Sequence, residues 1–158
     1  MPDALLELLS LDHVLVDVEA ADAQSAIRVL AGLLVQSGHV TPRFTDSLLK
    51  REQTYPTGLP TEPFATAIPH ADPDQVTASS ISIGVLKSPV QFAQMGTDGS
   101  VRLDVRVVFL LAIKEREKQV GLIQQVTMLI QNPALLQALT EAKTPPEVLD
   151  MIHKALQS

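Results

Sequence analysis

The run Val107-Val108-Phe109-Leu110-Leu111-Ala112-Ile113 leaves this chain few folds to choose from. It is rich in β-branched and aromatic residues, is far too short to cross a membrane, and has no polar position to turn toward water. It reads as an interior strand covered on both faces. The residues before it, Val101 to Val107, alternate apolar and polar, as do Ser80 to Leu86, and period-two alternation marks half-buried strands. Val90-Gln91-Phe92 adds a short strand and Gly96-Thr97-Asp98-Gly99 a turn.

A strand covered on both faces needs two layers of helices, and the sequence offers them. After an expected first strand over Leu11 to Val18, Ala20 to Asp22 introduces a helix whose Ile27, Leu30, Ala31 and Leu34 share one face. Gly38 suits the left-handed residue that ends it, with His39 in the following turn. The next helix is expected to open with Thr41 as N-cap and Pro42 at its first position, to bury Phe44 and Leu48, and to run out at Lys50-Arg51-Glu52. In the last third, Leu122, Ile123, Val126, Leu129 and Ile130 form a helical stripe. Asn132-Pro133 caps a short successor carrying Leu135, Leu136 and Leu139. Thr144 and Glu147 form a capping box ahead of Val148, Leu149, Ile152 and Leu156. The expected fold is α/β (α+β): one domain over residues 1–158, with a mixed β-sheet flanked by helices.

Composition excludes several functions. There is no cysteine, so no disulfide framework, and with 12 Lys and Arg against 18 Asp and Glu and 3% aromatics there is neither a basic stripe nor a stacking platform for nucleic acid. No apolar run is long enough for a membrane span and the N-terminus lacks a basic signal-like start, so a cytoplasmic location without membrane insertion is expected.

The chemistry concentrates in Thr66-Ala67-Ile68-Pro69-His70-Ala71-Asp72. His70 is the only strong nucleophile there, largely neutral at pH 7, and Pro69 fixes the backbone just before it. Neutral imidazole attacks phosphorus, and His70 reads as a transient phosphate carrier. A structural loop histidine and a metal site of His70, Asp72 and Asp74 are the alternatives, the latter short of a fourth ligand. The breaker-rich Thr54 to Pro63 predicts a loop, in which Thr57-Gly58 offers a hydroxyl and an approachable N–H to a phosphate, or is simply a turn. His13 reads as a satisfied edge or core histidine on the first strand, and His39 and His153 as structural.

Arg51-Glu52, Thr57-Gly58-Leu59, Ala67-Ile68-Pro69-His70, Ser88-Pro89-Val90-Gln91-Phe92, Met95-Gly96 and Phe109-Leu110-Leu111-Ala112 follow one another in an order and spacing that is specific as a set. From about Leu5 to Leu156 the chain resembles enzyme IIA of the fructose/mannitol class of the bacterial sugar phosphotransferase system. The Pro-Thr-Gly-Leu loop and the Pro-Val-x-Phe-x-x-Met-Gly stretch look most like its galactitol-type branch. The resemblance implies a phosphotransferase component without a cofactor, whose histidine is phosphorylated by the carrier protein HPr. The phosphate passes to a cysteine of enzyme IIB, which phosphorylates the sugar as it crosses the membrane through enzyme IIC.

By position His70 matches the phosphorylated histidine, and Arg51 and Thr57 match positions near the phosphate. Fructose- and mannitol-type members carry a second histidine on the helix after the Phe-Leu-Leu-Ala strand. Here that place falls to Gln119, which can donate a hydrogen bond but cannot titrate. A regulatory interaction module of the nitrogen-related kind, controlled by the same histidine, is the alternative function. In either case two proteins must reach His70 in turn, so an open site with an apolar rim is expected.

Overall fold

In the computed structural model, which describes residues 2–157, the apolar run lies on the central strand of a five-stranded sheet. The strands are β1 (Val14–Val18), β2 (Gly58–Leu59), β3 (Ala65–Ala67), β4 (Ser80–Ala93) and β5 (Arg102–Ala112), in the order β1-β4-β5-β3-β2. β4 and β5 pair antiparallel along most of their length, β1 runs parallel to β4, β3 parallel to β5, and β2 antiparallel to β3. The sheet is mixed, as expected. Helices α1 (Pro2–Leu6), α2 (Ala23–Gln36), α3 (Phe44–Thr54), α4 (Arg116–Leu129), α5 (Pro133–Glu141) and α6 (Pro145–Gln157) complete the chain. Among the described residues no helix is long and apolar enough to cross a membrane.

Successive residues of β5 enter different cores, and this accounts for the unbroken apolar run. Val108, Leu110 and Ala112 pack with Ile27, Leu30 and Leu34 of α2 and with Phe44 and Leu48 of α3. Val107, Phe109 and Leu111 pack with Leu122 and Val126 of α4, Leu136 of α5 and Ile152 of α6. Small residues on β4 let α2 approach closely: the Ser82 hydroxyl donates to the Leu30 carbonyl at 3.0 Å. A Cβ at Gly84 would stand 2.9 Å from both methyl carbons of Leu30.

Several boundaries differ from the sequence expectation. Leu11–His13 forms a 3-10 turn rather than the start of the first strand. There His13 is buried, joined to the hydroxyls of Ser80 and Ser37 at 2.9 Å each. α3 begins at Phe44, because the Thr41 carbonyl closes a turn onto the Phe44 N–H at 3.0 Å and the Thr41 hydroxyl bonds the Gln75 side chain instead of capping the helix. The two strands expected over residues 80–86 and 90–92 are one, with an irregular register between Val85 and Val90. Gly58-Leu59, expected as loop, is a short edge strand, and the short α1 precedes the first element the sequence predicts. Gly38, at φ 78°, ends α2 as expected.

Candidate functional site

The end of α3 and the end of β3 meet because the segment between them folds back on itself. Gly58 pairs with Ala67, and the Ile68 N–H donates to the Thr57 carbonyl at 3.2 Å. On the other side the Leu111 N–H donates to the Pro69 carbonyl at 2.9 Å, so the backbone leading into His70 is clamped between β2 and the buried strand β5. A third contact brings in the end of β4: the Met95 N–H donates to the Gly58 carbonyl at 2.8 Å. Gly58 permits this close approach, since a Cβ there would lie 2.6 Å from the Ala93 carbonyl oxygen.

These clamps enclose a hollow of about 230 Å³ lined by Arg51, Thr54, Tyr55, Pro56, Thr57, His70, Met95, Gly96 and Thr97. Tyr55 and Met95 are exposed on its rim, giving an apolar edge on which another protein can rest. His70 Nδ1 lies 2.7 Å from the Ile68 carbonyl oxygen. A carbonyl only accepts, so Nδ1 carries the hydrogen and Nε2 the lone pair. Nε2 has no hydrogen-bond partner among the described residues. Burial holds the imidazole below the usual histidine pKa, the Ile68 bond opposes it, Arg51 adds to the lowering and Asp72 counters it. The ring is therefore an uncharged nucleophile at neutral pH.

Arg51 comes from the last turn of α3. Its guanidinium carbon sits 5.1 Å over the Tyr55 ring, and one terminal nitrogen is 3.8 Å from Asp72. Its Nε is buried and lacks a hydrogen-bond partner among the described residues. An unpaired donor on a cation beside a nucleophile suits an anionic ligand. Thr57 is buried, and both its donors are taken by Glu52: the N–H at 2.9 Å and the hydroxyl at 2.8 Å.

A profile of the family described as phosphoenolpyruvate-dependent sugar phosphotransferase system, EIIA 2, matches residues 7–155. The chain belongs to this family. Its members are phosphotransferase components that carry a phosphohistidine. Among curated relatives, the mannitol-specific phosphotransferase enzyme IIA component of Halalkalibacterium halodurans is 29% identical over 90% of this chain and 92% of its own length. The ascorbate-specific EIIA component of Salmonella typhimurium is 27% identical over 86% of each. The multiphosphoryl transfer protein of Shigella flexneri is 27% identical over 94% of this chain, which spans only 17% of that relative's length. In fold, this EIIA chain is similar to Escherichia coli mannitol enzyme IIA in its complex with phosphorylated enzyme IIB, at a TM-score of 0.78 and 23% identity over 92% of this chain and 97% of that one. It is also similar to the nitrogen regulatory protein IIA-Ntr of Neisseria meningitidis, at a TM-score of 0.76 and 20% identity over 94% and 99%.

Within this EIIA domain, His70, Arg51 and Thr57 converge on one hollow and Gln119 does not line it. From α4, Gln119 donates to the Ala71 carbonyl at 2.8 Å, bracing the loop just after His70. The ligand set His70, Asp72 and Asp74 does not assemble. Among the described residues no group of three or more potential metal ligands is found, and the two carboxylates face Arg51 and Arg116 at 3.8–3.9 Å. Sequence reasoning missed Glu52 and Asp72 as partners of Thr57 and Arg51. The signal for Glu52 was an acid on the last turn of α3, five residues before a threonine at the chain's reversal.

Proposed function

We propose that this chain is a phosphocarrier in which His70 Nε2 accepts a phosphoryl group from phospho-HPr and passes it to a cysteine of enzyme IIB. The Nε2 lone pair attacks phosphorus while the bond to the donor breaks. The positive charge that develops on the ring is met by the Ile68 carbonyl, which already holds the Nδ1 hydrogen, and by Asp72. Phosphoryl transfer asks the protein mainly for position and for charge near the equatorial oxygens. Arg51 supplies that charge, and the buried backbone around Thr57, Ile68 and Pro69 supplies position. The observation that carries this reading is the Nδ1–H to Ile68 bond of 2.7 Å in a hollow shared with Arg51.

On this reading the chain is a single cytoplasmic IIA domain over residues 1–158, serving the uptake of a sugar or polyol through IIB and the membrane component IIC and needing no cofactor. The galactitol-type assignment rests on Pro56-Thr57-Gly58-Leu59 and on Pro89 to Gly96, beside relatives named for mannitol and ascorbate. The test is incubation with phosphoenolpyruvate, enzyme I and HPr, followed by intact mass and an acid-lability assay. One acid-labile phosphate is expected on the wild type and none on His70→Ala. Uptake by the variant would refute the assignment of His70. Phosphate uptake without transfer to any IIB, together with phosphorylation-dependent binding of another protein, would move the function to regulation.

A further inference from the structure

Thr57 lines the hollow beside His70, yet its hydroxyl donates away from it, to Glu52 Oε1 at 2.8 Å. Its backbone N–H donates to Glu52 Oε2 at 2.9 Å. A hydroxyl has one hydrogen. While Glu52 is ionised that hydrogen is committed, and Thr57 Oγ1 has only lone pairs left for the hollow. Lone pairs repel the oxygens of a phosphoryl group. The Thr57 side chain is therefore turned the wrong way for the group the proposed function places on His70.

Glu52 has an outlet on its far side. With Gln24, Gln53, Gln91 and Arg102 it lines a second cleft of about 500 Å³, between the start of α2, α3 and the start of β5. That cleft gives solvent protons a route to the carboxyl without passing His70. Charged residues on the same cleft are Asp22 of the α2 cap and Arg102 of β5, and Arg51 precedes Glu52 on α3. Burial pushes the Glu52 carboxyl above its ordinary pKa, against the two Thr57 hydrogen bonds.

We propose that Glu52 is the positioning residue for Thr57, and that it takes up a proton when His70 is phosphorylated. The inference rests on the phosphocarrier reading. The proton comes from solvent and adds to a Glu52 carboxylate oxygen, forming one O–H bond. That O–H then donates to Thr57 Oγ1, and the Thr57 hydrogen rotates to a phosphoryl oxygen. The Thr57 N–H keeps the other carboxyl oxygen, so the backbone stays in place. The phosphoryl charge drives the uptake, since an added negative charge nearby disfavours the carboxylate.

The test is a carbon-13 titration of the Glu52 carboxyl, assigned with Glu52→Gln, in the free protein and after phosphorylation of His70 by phospho-HPr or by phosphoramidate. A rise in proton affinity of roughly tenfold or more, one pH unit, is expected on phosphorylation. In kinetics, the amide of Glu52→Gln donates to Thr57 Oγ1 at every pH, so this variant loses the fall in phosphorylation rate that the wild type shows as pH rises past the Glu52 titration. In a Thr57→Val background, which has no hydroxyl to turn, adding Glu52→Gln leaves the pH profile unchanged. An unmoved midpoint with one phosphate on His70, or a Glu52→Gln variant slowed by the same factor at every pH, overturns this inference alone. No phosphate on the wild type from either donor removes the phosphocarrier reading, and this inference with it.

Discussion

The imidazole of His70 donates its Nδ1 hydrogen to the carbonyl of Ile68, two residues earlier in the chain, over 2.7 Å. Pro69 lies between them, and its fixed φ makes this short loop stiff. The bond selects the tautomer and leaves the lone pair on Nε2. The phosphoryl group is expected on Nε2. Nitrogen-15 spectra should show a protonated Nδ1 in the free protein and a phosphorus coupling at Nε2 afterwards. Phosphate on Nδ1 would mean that the Ile68 bond breaks before reaction.

The His70 titration gives a second prediction. Burial and Arg51 lower its pKa, whereas the Ile68 bond and Asp72 raise it. The neutral ring is thus fully present above about pH 6.5, and the acid limb of the rate profile falls as pH drops through a midpoint lower than that reference value. Arg51→Gln should move the midpoint up and Asp72→Asn should move it down, as read by NMR. Arg51→Gln should also slow phosphoryl transfer on the order of a hundredfold at any pH where the ring is neutral, the effect of removing one donor from a transition-state anion. Midpoints left unmoved by both substitutions would show that these charges do not reach the ring.

His13 gives a third prediction, on stability in acid. The Ser37 hydroxyl bonds the Leu34 carbonyl at 3.2 Å, His13 Nε2 at 2.9 Å and His39 Nδ1 at 2.7 Å, and His13 Nδ1 lies 2.9 Å from the Ser80 hydroxyl. Burial first, then His39, hold the His13 pKa below the ordinary histidine value against Asp12. The unfolded chain therefore binds the proton first. The stability is fully present above about pH 6.5 and is lost as pH falls through the depressed folded value. Denaturant unfolding in a His70→Gln background should show this slope, and His13→Gln should flatten it while costing about 1–3 kcal/mol at pH 7.5 for the disturbed buried hydrogen bonds. An unchanged slope in the double variant would assign the acid sensitivity elsewhere.

What was legible in the sequence was whatever repeats with a period or reacts by type. Val107 to Ile113 announced a strand between two helical layers, the stripes on α2 and on α4 to α6 announced those layers, and His70 stood out as the sole nucleophile of its segment. What was hidden depends on who meets whom across long separations. Glu52 could be seen beside Arg51, but its hold on Thr57 exists only because the chain reverses at Tyr55-Pro56. Thr41 had the right residue type for a cap, yet Gln75, thirty-four residues on, takes its hydroxyl. Gln119 stands on α4, where the resemblance places a second histidine, and its amide donates to Ala71, a contact set by how α4 packs against the His70 loop.

Gly58 and Gly84 separate structural cost from functional cost. At Gly84 an added methyl would meet the Leu30 side chain at 2.9 Å, on the α2 face of β4 and away from the hollow. Leu30 can shift, at a stability cost of about 1–3 kcal/mol for overpacking. At Gly58 the same methyl would meet the Ala93 carbonyl at 2.6 Å, and backbone must move. That backbone holds the Met95 N–H at 2.8 Å and follows directly on Thr57, so both walls of the hollow shift with it. Gly58→Ala should therefore lose more than about tenfold in phosphorylation rate, the scale of a small misplacement of reacting groups, while Gly84→Ala unfolds more easily but phosphorylates at the wild-type rate. Measuring both rates at a temperature where each variant is fully folded decides the matter. Equal rates for the two would show that the end of β4 does not shape the site.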